Sequence, residues 1–231
     1  RCYDPEPHPS GVKSIEYRWM LDDEWPDSNP NGNWLPYERP IIFEEDSVHK
    51  FEYKCTDNVD KTREGPGKIY RVDSTPPITI KSFNPDAYVV DGVEWIDTVH
   101  EIILEAEDPD PTGFQCNVGV DKTFWRNTIV PDSYCEAVEN CMPCEYTQQT
   151  CGGFNLYEGP IIKNEESCHL LEFYSIDELG NTENVQTNCF FVDKRHPEVN
   201  KDNGNAIPDN GEQQFITQDN PQGEFHWIAP Q

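Results

Sequence analysis

Six aspartates fall into two matched sets. Asp4, Asp57 and Asp73 stand in the first half of the chain, and Asp108, Asp177 and Asp193 stand in the same local sequence in the second. Asp4-Pro5-Glu6-Pro7 is answered by Asp108-Pro109-Asp110-Pro111, and Val72-Asp73 by Val192-Asp193. Carboxylates at strand ends beside a linker are hard oxygen ligands that can gather a calcium ion. Aspartates in turns also hydrogen-bond their own backbone, so both readings stand until geometry decides. The second chemistry-bearing type is cysteine, of which there are nine. Cys141-Met142-Pro143-Cys144 has the spacing of a redox or zinc half-site, but no helical pattern follows it and no second pair lies at zinc spacing. Disulfides in an oxidising compartment are therefore expected. His49 and His169 hold matching positions, which favours a structural hydrogen bond for each; Glu52 and Glu172 fall on the opposite strand face, either solvated or functional. No nucleophile–base pair or converging set of acids marks an enzyme, and none is expected.

The elements that carry these residues are one pattern used twice. His49–Asp57 reads HKFEYKCTD and 169–177 reads HLLEFYSID, each with Phe51, Tyr53, Cys55 or Leu171, Phe173, Ser175 at alternate positions, the period of a strand that buries one face. Asn33-Trp34-Leu35-Pro36-Tyr37 is answered by Gly153-Phe154-Asn155-Leu156-Tyr157. Gly11–Trp19 reads as a strand with 119–126 as its counterpart in the second copy, and Thr75-Pro76-Pro77 as a short stiff linker, because proline fixes φ and restrains the residue before it. Beyond Pro197 a third copy begins, in which Phe225-His226-Trp227-Ile228 repeats Val93-Glu94-Trp95-Ile96.

With 231 residues, 20 prolines, 14 glycines and no sustained helical period, the chain is expected to be all-β with two modest cores. A formal charge of −27 repels phosphate backbones and anionic lipid surfaces, so no nucleic-acid partner is expected, and with no long apolar run in the sequence no membrane insertion is expected.

Taken in order, these motifs resemble the Ig-like, fibronectin-type surface modules of bacterial and archaeal exported proteins. They are Asp4-Pro5-Glu6-Pro7, Gly11-Val12, Tyr17-Arg18, Trp34, Tyr37, Pro40-Ile41, His49, Glu52-Tyr53, Asp57 and Val72-Asp73-Ser74-Thr75-Pro76. The second copy keeps most of them but has Trp125-Arg126 for Tyr-Arg and Arg195-His196 for Thr-Pro. The resemblance implies tandem Ig-like β-sandwiches stapled by disulfides: one over 1–77 that lacks its first strand, one over 78–197 with a Cys-rich insertion at 127–152, and a partial repeat over 198–231. It also implies surface arrays, stalks or filaments, or accessory modules of glycan enzymes. In such a sandwich the strand ending at Cys2 faces the one bearing Cys55, with Tyr53 placed as in a tyrosine corner, so a Cys2–Cys55 bridge is expected. Cys116 and Cys168 are expected to replace it in the second copy and Cys135, Cys141, Cys144 and Cys151 to pair among themselves; Cys189 is the odd one, a buried thiol or an intermolecular bridge, or else a partner for the insertion.

A sandwich without its first strand exposes backbone and core that proteins normally cover. The expectation is that the 198–231 segment of one copy completes the first sandwich of the next, head to tail, with Phe225, Trp227 and Ile228 as the inter-subunit strand of an extracellular filament. Missing strands supplied by a longer polypeptide would explain the same pattern. The alternative function is a glycan-binding module that uses Trp19, Trp25 and Trp34, with cell-surface glycans as partner.

Overall fold

Alternating apolar residues make β3 (Ser47–Asp57) and β13 (Cys168–Asp177) the central strands of two separate sheets. The structure, a computed structural model, describes residues 1–21, 33–43, 46–113, 115–146 and 150–197. Phe225, Trp227, Ile228 and Trp25 lie outside the described residues. Arg1–Asp193 forms one compact unit.

In the first sheet, β1 (Val12–Leu21) pairs antiparallel with β3, Tyr17 opposite Tyr53 and Trp19 opposite Phe51. β2 (Leu35–Pro36) adds to β1, while β4 (Thr62–Glu64) and β5 (Lys68–Val72) both pair with β3. The strand expected to end at Cys2 is not formed: residues 1–11 run without pairing.

The second half builds two sheets facing each other. β6 (Ile78–Asn84), β9 (Glu101–Glu107) and β12 (Ile161–Ile162) make the smaller one, in the order β12-β9-β6. β7 (Tyr88–Val90), β8 (Val93–Ile96), β10 (Val120–Val130), β11 (Asn155–Leu156), β13 and β14 (Gln186–Val192) make the larger, in the order β11-β10-β13-β14-β8-β7. β10 and β13 pair as β1 and β3 do, with Trp125 opposite Phe173. Both ladders slip by one residue at their start, after Val12 and after Val120, where Gly11 and Gly119 turn with positive φ. The β14–β8 contact is parallel, Phe191 opposite Trp95 and Val192 opposite Ile96.

Between these sheets lies a core of Phe83, Ile102, Leu104 and Ile161 from the smaller, with Ile96, Leu171, Phe173, Phe190 and Val192 from the larger. Each fully buried member contributes about 1.5–3 kcal/mol. The other face of β13 is buried as well. Cys168 and Leu170 pack with Val130, Cys135 and Cys144 of the insertion, whose backbone runs through three short 3-10 turns between Asp132 and Tyr146. Among the described residues no helix is long and apolar enough to cross a membrane.

Candidate functional site

Where β5 hands over to β6, three of the six matched aspartates meet. Asp73 follows β5, Asp108 follows β9 and Asp177 ends β13; each brings a carboxylate oxygen within 4.8 Å of the others. Backbone amides hold them in place. Asp108 Oδ2 accepts from Gly119 N at 2.6 Å and Val118 N at 3.0 Å, and Val118 N also reaches Asp73 Oδ2 at 3.1 Å. Asp177 Oδ1 accepts from Leu179 N and Asn181 N, both at 2.8 Å. Asn181 Nδ2 spans the group, donating to Asp177 Oδ2 at 2.6 Å and to the Asp73 carbonyl at 3.2 Å.

Asp177 and Asp73 are nearly closed off from solvent, at 1% and 9% exposed. Asp108 Oδ1 is buried and accepts no hydrogen bond. Burial first, then the charges of Asp108 and Asp177, push the Asp73 carboxyl above its ordinary value against the pull of the Thr75 and Val118 amides. Like charges this close persist only with a shared proton or a cation between them. The three carboxylates match the hard-oxygen chemistry of calcium, which takes six to eight such ligands with water completing the shell.

Asp4, Asp57 and Asp193 are not brought into this group. Asp4 Oδ2 accepts from Gly11 N at 2.9 Å and Asp57 Oδ1 from Val59 N and Lys61 N, the turn geometry that Asp108 and Asp177 also adopt. Asp193, beyond β14, donates its backbone N–H to Ile96 O at 2.9 Å.

Cys2 is bridged to Cys55, with Cα atoms 6.0 Å apart. Cys116 does not join Cys168 and is a free, buried thiol. The ladder explains why: β10 starts at Val120 opposite Asp177 and reaches Cys168 only opposite Val130, so the loop bearing Cys116 lies at the far end, well beyond the ~7 Å a disulfide spans. Cys168 pairs with Cys135, Cys189 with Cys141, and only Cys144–Cys151 stays within the insertion. Two of the three bridges thus staple the insertion to β13 and β14, and one closes within it. A hydrogen-bond network stands where the first sheet has its bridge: Ser175, at the sequence position matching Cys55, bonds Thr79 Oγ1 and Thr123 Oγ1, and buried Glu183 accepts from Thr79 N and Ser175 N.

Glu172, expected to be solvated or functional, is fully buried instead. It takes two bonds from Arg126, at 2.6 and 2.8 Å, and one from Cys144 N, because the insertion covers this face of β13. Glu52 pairs with Arg18 and Lys50. His169 donates from Nε2 to Glu165 O and accepts from Asn127, and burial lowers its basicity; His49 bonds Ser47. Trp34 carries the Arg18 guanidinium on its ring as Phe154 carries that of Arg126, and Trp19 packs edge-on against Phe43 and His49.

The remaining feature is an exposed sheet face. Phe190 is 0% exposed, whereas Tyr70 at the matching place on β5 is 45% exposed. Leu171 and Phe173 are buried; Phe51 and Tyr53 are only half-buried. The Tyr157 hydroxyl accepts from Leu104 N of the facing sheet at 3.1 Å, while Tyr37 is 46% exposed.

No family model matches this chain, and no curated protein matches it.

Proposed function

We propose that the chain is a structural subunit of an extracellular filament or surface array. In this reading it is built from tandem Ig-like sandwiches over 1–77 and 78–197, and the 198–231 segment of one subunit completes the first sandwich of the next, head to tail.

One observation carries the reading. Of the nine residues in the core between the two facing sheets, Ile161, Leu171, Phe173, Phe190 and Val192 have counterparts in the first sandwich, in Ile41, Phe51, Tyr53, Tyr70 and Val72. The other four, Phe83, Ile96, Ile102 and Leu104, all come from the stretch between 83 and 104, for which the first sandwich has no counterpart among the described residues. Among the described residues half of such a core is therefore present, and the half-exposed side chains of β3 and β5 form a surface that a further strand would cover. Phe225-His226-Trp227-Ile228 is the stretch whose sequence matches one of the missing strands. Four disulfides support an oxidising, extracellular setting. The tryptophans of the glycan reading support it poorly, since Trp19 and Trp34 are engaged within the sheet.

The test compares the full chain with one lacking residues 223–231, by light scattering and negative-stain electron microscopy. Polymers from the full chain and monomers from the truncated one are the expected result. Polymers that survive the deletion, or a full chain that never polymerises, would refute the reading.

A further inference from the structure

We infer that the facing sheets of the second half join themselves covalently: the Lys81 amine and the Asn188 side-chain amide condense into a new amide bond with loss of ammonia, and Glu94 moves the protons. Such a bond needs no second copy of the chain, so it stands apart from head-to-tail assembly.

The three side chains come from three strands and point into one space. Lys81 stands on β6 of the smaller sheet, opposite buried Leu104 on β9. Glu94 on β8 and Asn188 on β14 belong to the larger sheet; they share the parity of the core residues Ile96, Phe190 and Val192, and so face inward. They meet at one oxygen. Glu94 Oε2 accepts from Lys81 Nζ at 2.9 Å and from Asn188 Nδ2 at 2.8 Å, while Glu94 Oε1 takes a further bond from Nζ at 3.1 Å.

Two features set this cluster apart from an ordinary ion pair. Asn188 Oδ1 is buried with no hydrogen-bond partner, where polar atoms are nearly always paired. The amide is thus held by its nitrogen alone. The Lys81 side chain is only 10% exposed, and its Nζ lies 3.7 Å from the centre of the Phe83 ring. Burial lowers the Lys81 pKa by more than the bonds to Glu94 raise it, which favours the neutral amine, the form that attacks a carbonyl.

In the reaction Glu94 takes a proton from the Lys81 ammonium, and the freed lone pair on Nζ attacks Cγ of Asn188. The carbonyl electron pair moves onto Oδ1. Glu94 then gives its proton to Nδ2 and takes another from Nζ. As the carbonyl re-forms, the Cγ–Nδ2 bond breaks and the nitrogen leaves as ammonia, which carries off the last proton as ammonium. One bond between nitrogen and carbon is made and one is broken, charge is conserved, and nothing is oxidised or reduced. Holding amine, carboxylate and amide together makes the step unimolecular. The product ties β6 to β14, so the facing sheets cannot part without breaking a covalent bond.

Intact mass spectrometry of the folded full chain, after reduction of its disulfides, provides the test. The expected mass lies below that of the sequence by one ammonia, and a tryptic digest contains a branched peptide joining Lys81 to Asn188. Lys81→Arg and Asn188→Ala each return the full sequence mass. Glu94→Gln keeps hydrogen-bonding groups in place but cannot relay the proton, and slows the appearance of the link at least about a hundredfold. A folded wild-type chain at its full sequence mass would overturn the bond, as would an ammonia loss that maps to any other asparagine. A link that forms as fast in Glu94→Gln as in the wild type would overturn the role of Glu94. The first readout needs no variant, so it decides even where a substitution prevents folding.

Discussion

Asn181 Nδ2 donates to the Asp73 carbonyl oxygen at 3.2 Å, tying the turn after β13 to the end of β5 across 108 positions of sequence. The same amide bonds Asp177, so the junction between the halves of the chain and the carboxylate cluster are one structure. The like charges of Asp73, Asp108 and Asp177 call for a neutralising group, a shared proton or a cation.

If that neutralising group is calcium, the ion stabilises the folded chain by mass action. At a hundredfold excess over its dissociation constant the gain is about 2.7 kcal/mol. Calcium then raises Tm, EGTA reverses the rise, and Asp108→Asn removes the response. Differential scanning fluorimetry with and without calcium checks this; a wild-type Tm indifferent to both would mean that the cluster shares a proton instead.

Without calcium, pH makes a separate prediction. The folded-state pKa of Asp73 is raised by burial and by its acidic neighbours, so the folded chain holds that proton more tightly than the unfolded one. Its contribution is fully present below the unfolded value and is lost as pH rises through the folded one. Asp73→Asn therefore flattens this part of the stability profile in EGTA. Urea midpoints measured from pH 4 to 7 on both proteins give the comparison.

The Arg126–Glu172 pair predicts a large loss. Removing one member of a buried ion pair strands the other, at a cost of about 3–5 kcal/mol. Glu172→Ala also leaves Cys144 N without its acceptor and so loosens the insertion. By contrast Glu52→Ala, which affects a pair nearer the surface, costs about 1 kcal/mol or less. Urea unfolding of the two variants separates them, and equal losses would show that the insertion does not seal Glu172.

The alternation in HKFEYKCTD and HLLEFYSID is enough to mark β3 and β13 as sheet centres, because period two is a local property. Burial of the second face is not local. Glu172 and Leu170 are covered by the insertion, and no pattern within β13 carries that information. The cysteines show the same limit. Cys2 and Cys55 sit in matched motifs, but Cys168 and Cys189 take partners from an irregular loop, where spacing does not constrain pairing. Nor does motif matching divide the six aspartates, since Asp4 and Asp57 make the same turns as Asp108 and Asp177. The division is made by Asp73, which the chain carries to the second set by way of the β5–β6 linker.

Disulfide removal is expected to follow loop length. In the chain-entropy model the 48-residue separation of Cys141–Cys189 contributes about 4 kcal/mol and the seven-residue separation of Cys144–Cys151 about 2 kcal/mol. Double serine replacements, compared by urea midpoint, test the order. Alkylation under denaturing, non-reducing conditions labels Cys116 alone; a label on any other cysteine contradicts the pairing.

Hydrogen exchange distinguishes the two matching strands. β14 is paired on both edges, with β13 and, at Phe191 and Val192, with β8, and its Phe190 and Val192 are buried; among the described residues β5 pairs only with β3, and Lys68 to Arg71 are exposed. Amides with an open edge and little apolar cover exchange through local openings far below the global unfolding energy. In the chain lacking residues 223–231, the β5 amides are expected to exchange at least about tenfold faster than those of β14, a difference of some 1.4 kcal/mol in opening energy. If the proposed assembly holds, β5 gains protection in the full chain as its concentration is raised, while β14 does not change. Equal protection of β5 and β14 in the truncated monomer would mean that the edge of β5 is already occupied, and the donor would then have nowhere to bind.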